Sequence, residues 1–176
     1  ETDLKLIYND VRKFGFIKIY SSSLITKSQH LMHLGPEPLE KNWNFLYLKK
    51  YIIGRERSIK NILMDQKCVS GLGNIYVNEI LFFSGIKPAR KATKLKNFEI
   101  EKIIKFSKKI LKNSINLGGS TIKDFSSENG KKGVFQQHLN VYGRENQDCS
   151  NIDCNLKIIR TVISNRATFF CKKCQK

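Results

Sequence analysis

Acidic side chains are scarce in this chain of 176 residues. Only 15 Asp and Glu stand against 32 Lys and Arg, which leaves a formal net charge of +17 at pH 7. Ordinary domains carry far smaller imbalances, so a charge serving solubility alone is a weak account of it. Long apolar runs are missing too: nothing approaches the ~18 residues of a membrane-spanning helix, and no secretory leader pattern is visible. There are no internal repeats. Cysteine is almost absent until the end, where four of the five fall within residues 149–176. Disorder is excluded as well, because a chain that is 40% hydrophobic and 10% aromatic can build a core. These absences leave a compact protein of one domain or two small ones, in a reduced cytoplasmic setting, with a polyanionic partner.

The four late cysteines are spaced as a metal site: Cys149-x4-Cys154, an intervening 16 residues, then Cys171-x2-Cys174. Each close pair is a turn that brings two thiolates together, and the spacer has room for a two-stranded hairpin. Four such donors form the tetrahedron that zinc prefers. Two disulfides are the alternative reading, one that suits an oxidising compartment. Cys68 has no partner nearby and reads as a buried small apolar residue. The positive charge comes in blocks, with ten Lys and Arg in residues 87–113 against Glu99 and Glu101. Some are plain solvated helix faces, but phosphate neutralisation is the natural use of so large a surplus.

Along the chain, Leu4-Lys5-Leu6-Ile7-Tyr8 and Phe16-Ile17-Lys18-Ile19-Tyr20 alternate as strands, too few to make a stable sheet alone. They read as the end of a β domain, residues 1–33. Residues 34–41 form a linker, whose Pro36 and Pro38 forbid helix. Residues 42–137 are mostly helical. Asn42 or Asn44 caps a helix to about Ile53, with Phe45, Leu48 and Ile52 on one face. A short helix covers 58–64, and another runs from Gly73-Asn74 to a C-cap at Gly85. A long amphipathic helix over 98–117 turns Ile100, Ile103, Ile104, Ile110, Leu111 and Ile115 inward and ends at Gly118-Gly119. Residues 120–133 are polar and glycine-rich, above all from Asp124 to Gly133, which predicts a mobile loop. A last short helix over 135–142 precedes the cysteine hairpin, residues 138–176.

Between the two short helices lies Gly71-Leu72-Gly73-Asn74, glycines that let backbone approach an anion at a helix N-terminus. The wider segment is more specific. Met64-Asp65-Gln66 and Gly71-Leu72-Gly73-Asn74-Ile75-Tyr76-Val77-Asn78-Glu79-Ile80 resemble the helix–two-turn–helix of bacterial formamidopyrimidine-DNA glycosylases and their endonuclease VIII relatives. The resemblance extends over nearly the whole chain. Tyr8-Asn9-Asp10-Val11-Arg12-Lys13-Phe14-Gly15 is similar to a DNA-facing loop of that family, and His33-Leu34-Gly35-Pro36-Glu37-Pro38-Leu39 to its interdomain linker. Gly118-Gly119-Ser120-Thr121-Ile122-Lys123-Asp124-Phe125 resembles the entry to its lesion loop. Val141-Tyr142-Gly143-Arg144 and Arg166-Ala167-Thr168-Phe169-Phe170-Cys171 resemble its zinc region, the latter favouring the formamidopyrimidine branch.

The resemblance implies an α+β protein: a β-sandwich remnant, a helix–two-turn–helix domain and a zinc β-hairpin. It implies a monomer acting on duplex DNA that holds an oxidised purine or an abasic site, with base excision followed by β,δ-elimination. In the family the nucleophile is an N-terminal proline amine, beside a glutamate and with a later lysine; none of the three is present. Glu1 is not that glutamate. The chain alone is therefore expected to bind DNA without forming the Schiff base that makes elimination facile. By resemblance Arg12 faces the orphaned base and Phe14 wedges into the stack, although a turn arginine with a packed phenylalanine is the bland alternative. Gly73 and Asn74 grip a phosphate, and Tyr142 and Arg166 hold neighbouring ones. The family also gives Arg166 a proton-donor role in δ-elimination, but a guanidinium is a poor acid and phosphate clamping suits it better. Arg55 is a DNA contact or a solvated surface residue. Cys149, Cys154, Cys171 and Cys174 hold zinc. Two departures stand out: four residues separate the first cysteine pair where the family has two, and Val11 replaces a proline. A non-catalytic DNA-binding remnant and a zinc-ribbon protein of ribosome or transcription machinery are the rival readings. The second leaves the Gly-Leu-Gly-Asn-Ile-Tyr segment unexplained.

Overall fold

The computed structural model describes residues 4–10, 13–119 and 135–176. The chain divides into two compact units, residues 1–33 and 34–176. In the first, the two alternating stretches run without strand pairing, contrary to the sequence expectation. Leu4, Leu6, Ile7 and Ile19 are all more than four-fifths exposed. A ribbon of two strands alone is marginal in water, and among the described residues of this unit no strand packs against these stretches. Local order comes instead from Asp10, whose carboxylate accepts from the Gly15 amide at 2.6 Å, and from the Phe16 ring against His30 at 4.6 Å.

The second unit is built on four helices. α1 (Phe45–Ile52) starts where the Asn44 side chain accepts from the Tyr47 amide, and α2 (Ile59–Leu63) starts at Ser58 in the same way. α3 (Asn74–Ser84) ends at Gly85, whose φ of 73° makes a left-handed cap. α4 (Asn97–Asn116) begins with Glu99, which accepts from the Lys96 amide at 2.7 Å and from both terminal nitrogens of Arg90 at 2.6 and 2.9 Å. Their shared core holds Trp43, Leu48, Ile59, Ile62, Leu63, Leu72, Ile80, Leu81, Ile100 and Ile103, all essentially inaccessible to water. The Trp43 indole N–H donates to Ser107 on α4 at 2.8 Å, so the buried ring leaves no polar atom unmet. Ile115, expected inward, is 63% exposed. The inward place in that last turn belongs to Ser114, which bonds the Tyr76 hydroxyl at 2.7 Å.

Residues 34–36 lie against the turn that leads to α3. The Gly35 amide donates to the Gln66 carbonyl at 2.8 Å, and the Ser70 amide to the Pro36 carbonyl at 3.1 Å. A β-carbon at Gly35 would run into the Cys68 carbonyl. The final helix expected over 135–142 is only a 310 turn, Phe135–His138. Past it, the amides of Asn140, Val141 and Tyr142 point at the Glu79 carboxylate rather than up a helix. The chain then forms an antiparallel hairpin, β1 (Ile159–Ile163) and β2 (Arg166–Phe170), the one sheet among the described residues. A second small core of Val141, Ile158, Phe169 and the cysteines closes over Phe82 of α3.

Candidate nucleic-acid interface

Gly71 takes a φ of +81°, the left-handed region where a side chain is strained. Gln66 fixes that bend from both sides: its amide oxygen accepts from Gly71 N–H at 2.8 Å and its amide nitrogen donates to the Leu72 carbonyl at 3.1 Å. The bend delivers an exposed Gly73 to the start of α3, and no side chain caps that end. The first-turn N–H groups therefore face outward with the positive end of the helix dipole, a combination that suits a phosphate.

The hairpin comes to the same place. β1 and β2 pair from Ile159↔Phe170 to Ile163↔Arg166, and three side chains of α2 and α3 hold β2. Lys60 donates to the Ala167 carbonyl at 3.0 Å and to the Thr168 hydroxyl at 2.7 Å. The Asn74 amide nitrogen donates to the same Ala167 carbonyl at 2.9 Å. Asn78, fully buried, accepts from Phe169 N–H at 2.8 Å and donates to the Asn74 carbonyl at 2.6 Å. Asn74 thus sits one residue from Arg166, which is exposed in an open cleft of about 630 Å³ with Arg57, Lys60, Asn61 and Lys67. Lys60 is itself inaccessible to water. Burial first, then the charge of Arg166, lowers its amine from 10.5 to about 8.

Glu79, one residue further along α3, holds the segment that carries Tyr142. It is 1% exposed. One carboxylate oxygen accepts from the Val141 and Tyr142 amides, both at 2.9 Å. The other accepts from the Asn140 amide at 2.8 Å and from its side-chain nitrogen at 3.3 Å. Tyr142 packs edge-on against Phe169 with centroids 5.1 Å apart. Asn74, Tyr142 and Arg166 are thereby linked through one seam of contacts. Gly73 adjoins them, whereas Arg55 lies elsewhere, stacked 4.2 Å over the Tyr51 ring and bonded to the Tyr51 carbonyl. Phe14, in the first unit, is 79% exposed. Arg12, Val11 and the 120–134 segment lie outside the described residues.

At the open end of the hairpin the four late cysteines converge, all sulfurs within 4.8 Å of one another. Two of the approaches cross between the two turns, 3.8 Å for Cys149 to Cys174 and 3.5 Å for Cys154 to Cys171. A tetrahedral thiolate site with metal–sulfur bonds of ~2.3 Å has edges of about 3.8 Å. The residues therefore fit a four-coordinate metal ion, and the longer first spacer does not prevent convergence. All five cysteines are free thiols. Cys68 is buried in the helical core, as expected.

Sequence reasoning missed Lys60, Asn78 and Glu79. Their signal was present: Asn78-Glu79 interrupts an otherwise apolar helix, and polar side chains buried there need built partners.

A helix–two-turn–helix that carries a four-cysteine hairpin on its second helix defines a class of nucleic-acid-binding fold. The profile of the formamidopyrimidine-DNA glycosylase H2TH domain matches residues 34–126, and the chain belongs to that family. The formamidopyrimidine-DNA glycosylase of Rickettsia felis is 42% identical over 171 residues, covering 97% of this chain and 61% of that protein. That of Hydrogenovibrio crunogenus is 43% identical, covering 100% and 62%. The chain thus spans about three-fifths of the length of these relatives. Among solved structures, a Lactococcus lactis Fpg mutant in complex with Fapy-dG containing DNA matches 95% of this chain and 60% of its own, with 32% identity and a TM-score of 0.87. The Thermus thermophilus MutM (Fpg) protein matches 82% and 55%, with 35% identity and a TM-score of 0.77. Among the described residues no helix is long and apolar enough to cross a membrane.

Proposed function

We propose that this chain is the DNA-holding part of a base-excision repair glycosylase, gripping duplex DNA that contains an oxidised purine or an abasic site. The observation that carries the reading is the seam itself. The uncapped N-terminus of α3 and the strand that bears Arg166 are fastened together by the Asn74–Ala167 bond, 2.9 Å long. Gly73 N–H and Arg166 then serve adjacent phosphates from two sides, and Tyr142 a third; one strand advances about 3.4 Å per residue. Arg12 and Phe14 face the orphaned base, and the net charge of +17 supplies the counterion release that drives association. Arg55, drawn against Tyr51, is better read as a surface residue.

The four thiolates hold zinc. That ion contributes folding energy to a hairpin too small to stand alone, and takes no part in the chemistry. Excision and β,δ-elimination belong to the whole protein, with its amine nucleophile. This chain binds without turning over. Borohydride trapping on DNA with an abasic site tests this directly, run beside fluorescence anisotropy on the same duplex. Nanomolar-to-micromolar binding with no covalent adduct is the expected result. An adduct on this chain would show that one of its own amines does the chemistry. Loss of all binding preference for the abasic duplex would favour a general nucleic-acid module.

A further inference from the structure

Arg166 stands directly after a two-residue turn, Ser164-Asn165, with φ values of +48° and +58°. Such turns match the twist of a hairpin but favour Asn and Gly, because a β-carbon is crowded at positive φ. Serine is a poor choice for the first position, so something outside the turn must favour it. The Asn61 side-chain amide on α2 donates to the Ser164 hydroxyl at 2.8 Å. Asn61 follows Lys60, whose amine holds Ala167 and Thr168 on the other side of Arg166. Two neighbouring residues of one short helix therefore grasp the hairpin before and after Arg166, while the Arg166 side chain itself lies exposed in the cleft they line.

We propose that Asn61 and Ser164 are positioning residues, a hydrogen-bonded pair that sets the direction of Arg166 toward the DNA backbone. The proposal rests on the reading of Arg166 as a phosphate contact. A two-stranded ribbon twists readily at its turn end, which carries no cross-strand bonds beyond the last pair. Lys60 fixes β2 but not the turn, and among the described residues the Asn61 side chain is the one seen to bond the turn. Releasing it lets Arg166 sample directions away from the strand. Asn61 would then affect affinity without touching DNA.

The test is a set of variants of this chain, metal-replete, titrated by anisotropy against a duplex that carries a tetrahydrofuran abasic analogue, at several salt concentrations. Asn61→Ala is expected to raise Kd about three- to tenfold and to lower the salt slope by no more than the roughly one unit that Arg166 contributes, because it acts through that contact. Ser164→Gly should do the same, although glycine relaxes the positive φ and leaves the fold at least as stable by urea unfolding. In an Arg166→Ala background, Asn61→Ala should add nothing, since there is no longer a side chain to aim. Independent, multiplying losses in the double variant would overturn the proposal, and so would a Ser164→Gly variant that binds like the parent. If Arg166→Ala alone changes neither Kd nor slope, the phosphate reading of Arg166 falls instead.

Discussion

Removing the Glu79 carboxylate should loosen the whole joint between helices and hairpin. Glu79 accepts four hydrogen bonds, three of them from the consecutive main-chain amides of 140–142. At 1% exposure, water cannot reach those amides in its place. In Glu79→Gln one oxygen is kept, so two amides stay satisfied. The new NH2 group then faces the Asn140 amide and side-chain nitrogen, donor against donor. Each buried donor left unmet costs about 1–3 kcal/mol, and bonds to a charged acceptor are worth about 1.5–3 each. Allowing for partial relaxation and non-additivity, Glu79→Gln should lose roughly 2–3 kcal/mol and Glu79→Ala roughly 3–5. Urea unfolding at pH 7 with metal present measures this, the expected sign being a lower midpoint with an unchanged slope. DNA affinity should fall alongside, because the same amides hold Tyr142. A Glu79→Gln variant within about 0.5 kcal/mol of the parent would refute the reasoning, since surface positions behave that way and buried acceptors do not.

Arg166→Ala should weaken duplex binding by about 1.5–3 kcal/mol and reduce the salt slope by about one unit, whereas Asn74→Ala should weaken it with little change in slope. Chelation should make four thiols reactive to a disulfide reagent and abolish exchange protection in 159–170, while helical circular dichroism persists. Cys68 should stay unreactive, because burial pushes its thiol up to about 12. Glu99 is pulled upward by burial, but the Arg90 bond and the Lys96 amide outweigh that and leave its pKa below 4.5. Its contribution is therefore complete above pH 4.5 and lost as pH falls through the lower folded value. Glu99→Gln should cost about 1–3 kcal/mol at pH 7 and little in strong acid, by paired urea titrations. For Lys60, depressed to about 8 from 10.5 in the fold, the unfolded chain binds more protons between those values. Stability should rise with pH across that window, and Lys60→Met should flatten the rise.

The helical part of the fold was legible because its signals are local. Asn44, Ser58 and Gly85 act within one turn of the residues they cap, and the apolar spacing of α4 needs no distant partner. The four cysteines were legible for a different reason: thiolate spacing states its own chemistry. Residues 4–20 misled, since alternation describes a surface ready to pair and says nothing about whether a partner is at hand. The segment 135–142 misled because Glu79, about sixty residues away, competes for its amides. Asn78-Glu79 showed in the sequence as a polar break in an apolar helix, but what they and Lys60 bind did not. Most of their partners are backbone atoms of residues 140–142 and 167–169, and backbone atoms have no letter in a sequence.

The hairpin is held at both ends by unlike means, and that division explains where the polar side chains lie. Two strands of five residues bury too little to stay paired in water. At the open end, Cys154 precedes β1 and Cys171 follows β2, so a metal ion held by the four thiols, as proposed, would close the ribbon there. At the turn end a metal would put a second positive centre beside Arg57, Lys60, Lys67 and Arg166, competing with those side chains for phosphate. Hydrogen bonds from Asn61, Lys60 and Asn74 fasten that end without filling the cleft. Burying Lys60 carries a desolvation cost, visible in its lowered pKa. The bonds to Ala167 and Thr168 offset part of it. An apolar side chain at that position would pack more cheaply but could not reach a carbonyl, and β2 would be free to slide along α2. If Arg166 contacts phosphate as proposed, a polar seam suits it, because holding β2 in one register along α2 and α3 needs directional contacts, which apolar packing does not supply.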